Sequence, residues 1–175
     1  LELYGVSERS DKIYGAEYKF KHDLPSEFYV GFGAKYSKTD SDTYVGARGV
    51  KLSNVSYQQD MDPSTINMPS LDGSAYIKNA GYGEVNLAKV FNFSSYFFTF
   101  PLSLQRESLY AKYRYYDIRS FSNSKFDANE VTVGTTLSTV LLNSFVLPIS
   151  FEYIYNDAIF IENKNSFRLI LGATF

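Results

Sequence analysis

Residues 145–156 read FVLPISFEYIYN, and their side chains alternate in character. Phe145, Leu147, Ile149, Phe151, Tyr153 and Tyr155 fall on one face of an extended chain, and Ser150, Glu152 and Asn156 on the other. A period of two marks a β-strand with one apolar and one polar side. Six consecutive apolar positions make a long strand. Roughly 9–11 residues cross the hydrocarbon of a membrane, against about 5–6 in an ordinary soluble strand. The preceding segment matches it: Val131, Val133, Thr135, Leu137, Thr139 and Leu141 oppose Thr132, Gly134, Thr136 and Ser138, before a tight break at 142–144.

The same alternation extends through most of the chain. Tyr14, Ala16, Tyr18 and Phe20 oppose Gly15, Glu17, Lys19 and Lys21. After a break at 22–26, Phe28, Val30, Phe32, Ala34 and Tyr36 oppose Tyr29, Gly31, Gly33, Lys35 and Ser37, which predicts a hairpin. Leu109, Ala111, Tyr113 and Tyr115 oppose Tyr110, Lys112, Arg114 and Tyr116. No stretch carries a helical period. Around 97–118 the apolar positions switch from even (Phe98, Phe100, Leu102, Leu104) to odd (Leu109 onward), which predicts a turn at 105–107.

These patterns predict an all-β, up-and-down antiparallel barrel in one domain, 1–175. Ten strands are preferred: 1–8, 12–21, 27–38, 43–53, 75–90, 96–104, 108–118, 129–141, 145–156 and 166–175. The alternative is eight, with 97–118 as one bulged strand. Segments 43–53 and 75–90 alternate less regularly, and 54–74 (NVSYQQDMDPSTINMPSLDGS) reads as a long polar connection. Tight turns at 22–26, 105–107 and 142–144 contrast with longer polar loops at 37–43, 119–128 and 156–166. Transmembrane barrels have this asymmetry, with the short turns on the periplasmic side.

Composition narrows the class further. Aromatic residues make up 18% of the chain, as 16 Tyr and 15 Phe without Trp, yet mean hydropathy is slightly below zero. Strands that present one side to lipid and the other to a polar interior average out in this way. A soluble β-sandwich shares the alternation but would leave tyrosines at strand ends exposed without reason. At a membrane interface the ring is buried while the hydroxyl meets headgroups. On the opposite faces Glu17, Lys19, Lys35, Lys112, Arg114, Glu152 and Arg168 are candidates to line the lumen. An eight-stranded barrel is just filled by side chains, and mixed signs let these seven pair across it.

At the C-terminus Phe167, Leu169, Leu171, Ala173 and Phe175 alternate with Arg168, Ile170, Gly172 and Thr174, and the chain ends on the aromatic. This resembles the terminal assembly signal that bacterial outer-membrane proteins present to the barrel-assembly machinery. In size and loop pattern the chain is similar to small Gram-negative barrels of the OmpA/OmpX/OmpW type. The resemblance implies residence in the bacterial outer membrane, with a periplasmic C-terminus. The partners it implies are membrane lipid, lipopolysaccharide and the assembly machinery. The start at Leu1, without Met or a signal peptide, is expected of a processed or truncated form.

Catalytic and cofactor chemistry is sparse. Cysteine is absent and His22 is the single histidine. His22 neighbours Asp23 and Ser26 in a turn, where adjacent residues do not converge into a triad. Asp60, Asp62 and Asp72 lack the ligand spacing of a calcium loop, and Gly81-Tyr82-Gly83 precedes no helix that could hold a phosphate. A net charge of −2 with no basic cluster argues against nucleic acid. The expectation is a non-enzymatic barrel without cofactor or metal, acting as membrane anchor, narrow pore or surface-interaction scaffold. The alternatives are an outer-membrane lipid-modifying enzyme and a soluble secreted β-sandwich binding module.

Overall fold

The alternating segments fold into one long antiparallel meander. The computed structural model describes residues 2–8, 11–41, 49–54, 65–97, 102–141 and 145–172. Among them lie eleven strands: β1 (Glu2–Glu8), β2 (Asp11–Leu24), β3 (Phe28–Thr39), β4 (Val50–Ser53), β5 (Thr65–Asn67), β6 (Ser74–Ile77), β7 (Asn79–Phe97), β8 (Leu102–Arg119), β9 (Lys125–Leu141), β10 (Phe145–Asn156) and β11 (Asn165–Leu171). Eight form a single sheet in the order β1-β2-β3-β7-β8-β9-β10-β11, every neighbouring pair antiparallel. The other three form a small sheet of order β5-β4-β6, inserted between β3 and β7. Within the described residues the large sheet has two edges, β1 and β11.

The large sheet therefore has the alternative strand count, eight, and the differences from ten have local causes. The turn expected at 105–107 is strand: β8 runs through it, and the register slips between Leu104 and Arg106. This bulge, with a second slip between Asn92 and Ser95 on β7, shifts the phase of the apolar positions without reversing the chain. Segment 96–104 is thus shared between the end of β7 and the start of β8, and the residues connecting them, 98–101, lie outside the described set. Of segment 43–53 the described residues, 49–53, hold β4, which belongs to the small sheet.

With eight strands the rims sort themselves. The β2–β3 turn is Pro25–Glu27, where Ser26 and Glu27 take positive φ (61° and 62°), the handedness that suits a twisted hairpin. It shares a rim with the β7–β8 and β9–β10 connections. The opposite rim carries the longer β8–β9 and β10–β11 loops and the described parts of segment 40–78.

The large sheet carries exposed apolar side chains on one face and buried polar ones on the other. Outward lie Phe32, Tyr36, Leu87, Leu109, Tyr113, Val133, Phe151 and Phe167, all exposed, with Val133 at 52% and Phe167 at 85%. Inward lie Lys35, Arg114, Glu130, Thr132, Glu152 and Asn156, all buried. The apolar core sits at the loop-side end of the inner face. There Val50, Leu52, Ile66, Met68 and Ile77 of the small-sheet insert pack on Ala80, Tyr116, Ile118, Ala128, Ala158 and Ile161. The long polar connection expected at 54–74 is thereby corrected. Ile66 and Met68 are fully buried, and among the described residues of that segment Asp72, Gly73 and Ser74 are the exposed ones. Gly49 starts the insert at φ 117°, and a Cβ there would come within 2.7 Å of the Ile77 carbonyl and the Phe121 ring. Only glycine meets both conditions.

Candidate functional site: a two-tiered polar interior

The inner face carries its polar side chains in two tiers. The upper tier, next to the insert, centres on Glu130. Its register neighbours Arg114 and Asn156 flank it on β8 and β10. Glu130 Oε2 accepts from the Ser70 hydroxyl (2.6 Å), the Ser70 backbone N–H (3.2 Å) and the Asn156 amide (3.4 Å). The Asn156 amide also reaches Ser70 Oγ at 2.7 Å, and Asn156 Oδ1 accepts the Ala158 N–H at 2.8 Å. The Tyr116 hydroxyl lies 2.9 Å from the Asn67 carbonyl and 3.2 Å from Glu130 Oε1, so it donates to one of them at a time. A buried carboxylate is costly unless its lone pairs are filled, and here the insert supplies two of the donors. The insert is latched to the sheet through these bonds.

The lower tier consists of charge pairs. Lys19 and Lys35 both approach Glu17, at 2.8 and 3.8 Å. Glu84 binds Arg114, whose guanidinium also sits 5.0 Å from the Tyr82 ring centroid. Glu152 accepts Arg168 Nε at 2.7 Å and the Tyr110 hydroxyl at 2.6 Å. Arg168 further reaches the Asn54 carbonyl of the insert at 3.5 Å. Tyr110 lies along the inner face over Gly134, where a Cβ would come within 2.6 Å of its ring.

All seven residues proposed as lumen-lining therefore stand on this inner face. Glu17, Lys19, Lys35, Arg114, Glu152 and Arg168 engage in pairs. Lys112 is on the same face, half-buried, with no hydrogen bond or ion pair among the described residues. Sequence reasoning missed Glu84, because β7 alternates poorly, and the Ser70–Glu130–Asn156 latch, because its members lie 60 and 26 residues from Glu130. Tyr110, Tyr116 and Asn156 could have been found, since they share the parity of Lys112, Arg114 and Glu152.

Two bands of aromatic side chains bound the outward face. Near the loop rim Tyr113 and Tyr153 donate their hydroxyls to Asn129 and Asn165, each at 2.6 Å, and Tyr36 accepts from Asn79 at 3.0 Å. Near the tight-turn rim Lys89 sits 4.2 Å from the Phe28 ring centroid and 5.4 Å from that of Phe91. His22 is also exposed there, stacked on Phe20 at 6.3 Å. In the candidate assembly signal, Phe167, Leu169 and Leu171 are exposed on the outward face of β11. Ala173 and Phe175 lie outside the described residues, as do Asp60 and Asp62.

One acidic group at the loop rim joins two strands. Asp157 accepts the Asn129 backbone N–H (2.7 Å) and side-chain amide (2.8 Å), and these bonds hold its carboxyl below the ordinary carboxylate range. A depressed folded pKa stabilises the fold above the unfolded value, about 4. That contribution is lost as pH falls through the folded value. Asp157→Asn is therefore expected to be less stable than the wild type near pH 6, with the gap closing below pH 3. Urea midpoints measured across that range check it. No family model, curated protein or solved structure matches this chain.

Proposed function

We propose that this chain is a transmembrane β-barrel of the outer-membrane type, plugged at its loop end, that acts as a non-enzymatic membrane anchor and surface scaffold. The carrying observation is the inversion of the large sheet: outward Val, Leu, Phe and Tyr, inward Lys, Arg and Glu. Burying one such outward side chain in an apolar medium is worth about 1.5–3 kcal/mol, whereas in water each is an uncompensated exposure. The tyrosine band at one rim and the Phe28–Lys89–Phe91 cluster at the other suit two headgroup layers. An even number of antiparallel strands leaves β1 and β11 antiparallel to each other. Pairing these edges closes the sheet and satisfies every backbone group within hydrocarbon.

The plug favours a scaffold over an open pore. The insert occupies the loop end of the interior, and most of the inner-face charges are engaged in pairs with one another. The loops and the outer side of the insert are then the surface offered to the exterior. Membrane lipid, lipopolysaccharide and, during insertion, the assembly machinery are the partners this reading entails.

The test is refolding of the purified chain into detergent micelles or vesicles, followed by gel electrophoresis in SDS with and without boiling. The expected result is a folded band that migrates differently until boiled, and that partitions with vesicles after a carbonate wash. A single unshifted band from a chain with β-sheet circular dichroism, staying in the aqueous phase, would overturn the reading in favour of a soluble β-sandwich.

A further inference from the structure

Toward the loop rim the outward face of the large sheet is dented. In one register row Ala34 and Gly83 lie between Tyr18 and Tyr115. In the next row toward the loops Ala16 and Gly81 flank Tyr36. Together they frame an apolar groove of about 350 Å³. Its floor is open, since a Cβ at Gly83 would meet nothing within 4 Å. Its loop-side end is closed by Tyr36, which leans over Gly81. A Cβ at Gly81 would come within 3.0 Å of the Tyr36 ring, and a hydrogen bond from Asn79 holds the Tyr36 hydroxyl. Tyr18, Tyr36 and Tyr115 are each about half exposed, so the walls of the groove are apolar rings without a protein cover.

The row above the groove is basic. Lys38 on β3, Arg119 on β8 and Lys125 on β9 share one register row, with Asn79 between the first two. All three are exposed. Lys125 pairs with Asp117 at 3.3 Å, and Asp127 stands beside Asp117 on β9. Lys38 and Arg119 have no ion pair among the described residues. They stand two strand spacings apart, roughly 10 Å, a span that suits two separated phosphates better than one. Two residues along a strand set this row roughly 7 Å above the groove. Charge above and an apolar trough beneath match a lipid headgroup over its acyl chain.

We propose that this face holds one molecule of a bisphosphorylated, acylated glycolipid, the lipid A part of lipopolysaccharide. One acyl chain lies in the groove between Tyr18 and Tyr115, and the two phosphates meet Lys38 and Arg119. The site rests on the transmembrane reading, because it needs the outward face in lipid and the loop rim in the outer leaflet. Exposed cations suit this partner, since basic side chains at a membrane surface attract anionic headgroups without being buried. The basic row selects the headgroup, and the groove fixes where the lipid stands around the sheet.

The probe is bisphosphoryl lipid A, added to the full chain refolded in detergent micelles and read by native mass spectrometry. Monophosphoryl lipid A and phosphatidylglycerol are the comparisons. The boiling shift is verified first. The expected result is one bisphosphoryl lipid A retained per chain, with phosphatidylglycerol weaker by about tenfold or more, as two surface cations of ordinary strength imply, and the monophosphoryl form between them. Lys38→Ala combined with Arg119→Ala should remove the preference. Gly83→Leu, which fills the groove and leaves both cations in place, should weaken all three lipids together. A chain without the boiling shift overturns the transmembrane reading and this site with it. A shifted wild type that retains lipid A no better than phosphatidylglycerol overturns the site alone. So does a preference that survives both the double variant and Gly83→Leu.

Discussion

Arginine introduced together at Leu87 and Val133 is expected to stop the chain from inserting into lipid vesicles. Both side chains stand at the middle of their strands on the outward face, about half exposed, and the register places them in one row across β7, β8 and β9. If that row lies at the centre of a bilayer, each arginine costs roughly 2–4 kcal/mol. The pair then costs roughly 4–8 kcal/mol, comparable to the whole stability of a typical domain at about 5–15 kcal/mol. Urea titration of vesicle-folded protein reads this directly. On a soluble sheet the same substitutions would replace exposed apolar groups by charges and cost almost nothing. An unchanged urea midpoint in the double variant would therefore remove the membrane from the account.

The second large effect concerns the latch. Glu130→Leu leaves the Ser70 N–H and hydroxyl and the Asn156 amide without their carboxylate acceptor, inside a region closed to water. An unsatisfied buried donor costs about 1–3 kcal/mol, so losing the two bonds from Ser70, which join the insert to the sheet, weakens its docking by roughly 2–6 kcal/mol. The strands of the large sheet do not need Glu130 for their ladder bonds and should persist. The expected result is a chain that keeps its β-sheet and, if the proposed barrel holds, its boiling shift, but whose segment 49–77 is cut by protease much faster than in the wild type. In planar bilayers the wild type should be silent and the variant should show intermittent conductance steps. A wild type that conducts steadily would mean that the insert is no plug. An insert equally protected in the variant would mean that Glu130 does not hold it.

Much of the large sheet was legible because a period of two survives any tertiary context that keeps one face apolar. In β2, β3, β9 and β10 the faces read from alternation are the faces observed, down to Glu152 between Phe151 and Tyr153. Strand number was less legible. A bulge and a turn both shift the apolar phase, and the residues around Gln105 distinguish them only through pairing with β9. The insert was hidden by composition: two buried side chains, Ile66 and Met68, stand in a run otherwise rich in Ser, Asn, Asp and Pro. The latch was illegible for another reason. Nothing local distinguishes Ser70 or Glu130 from solvated polar residues until strands distant in sequence bring them together.

The insert also constrains the order in which the molecule can assemble. Its strands lie in the first half of the chain, between β3 and β7, yet its bonds reach Asn156, 86 residues from Ser70, and Arg168, 114 residues from Asn54. Contacts of such sequence separation form late, because loop closure must be met before they return any energy. Segment 49–77 has no docking surface until β8 to β10 are in place. During synthesis it must wait, undocked, for the C-terminal half of its own chain. The loop-side end of the inner face thus stays uncovered while the strands join their sheet, and the insert docks on it as a late step of folding.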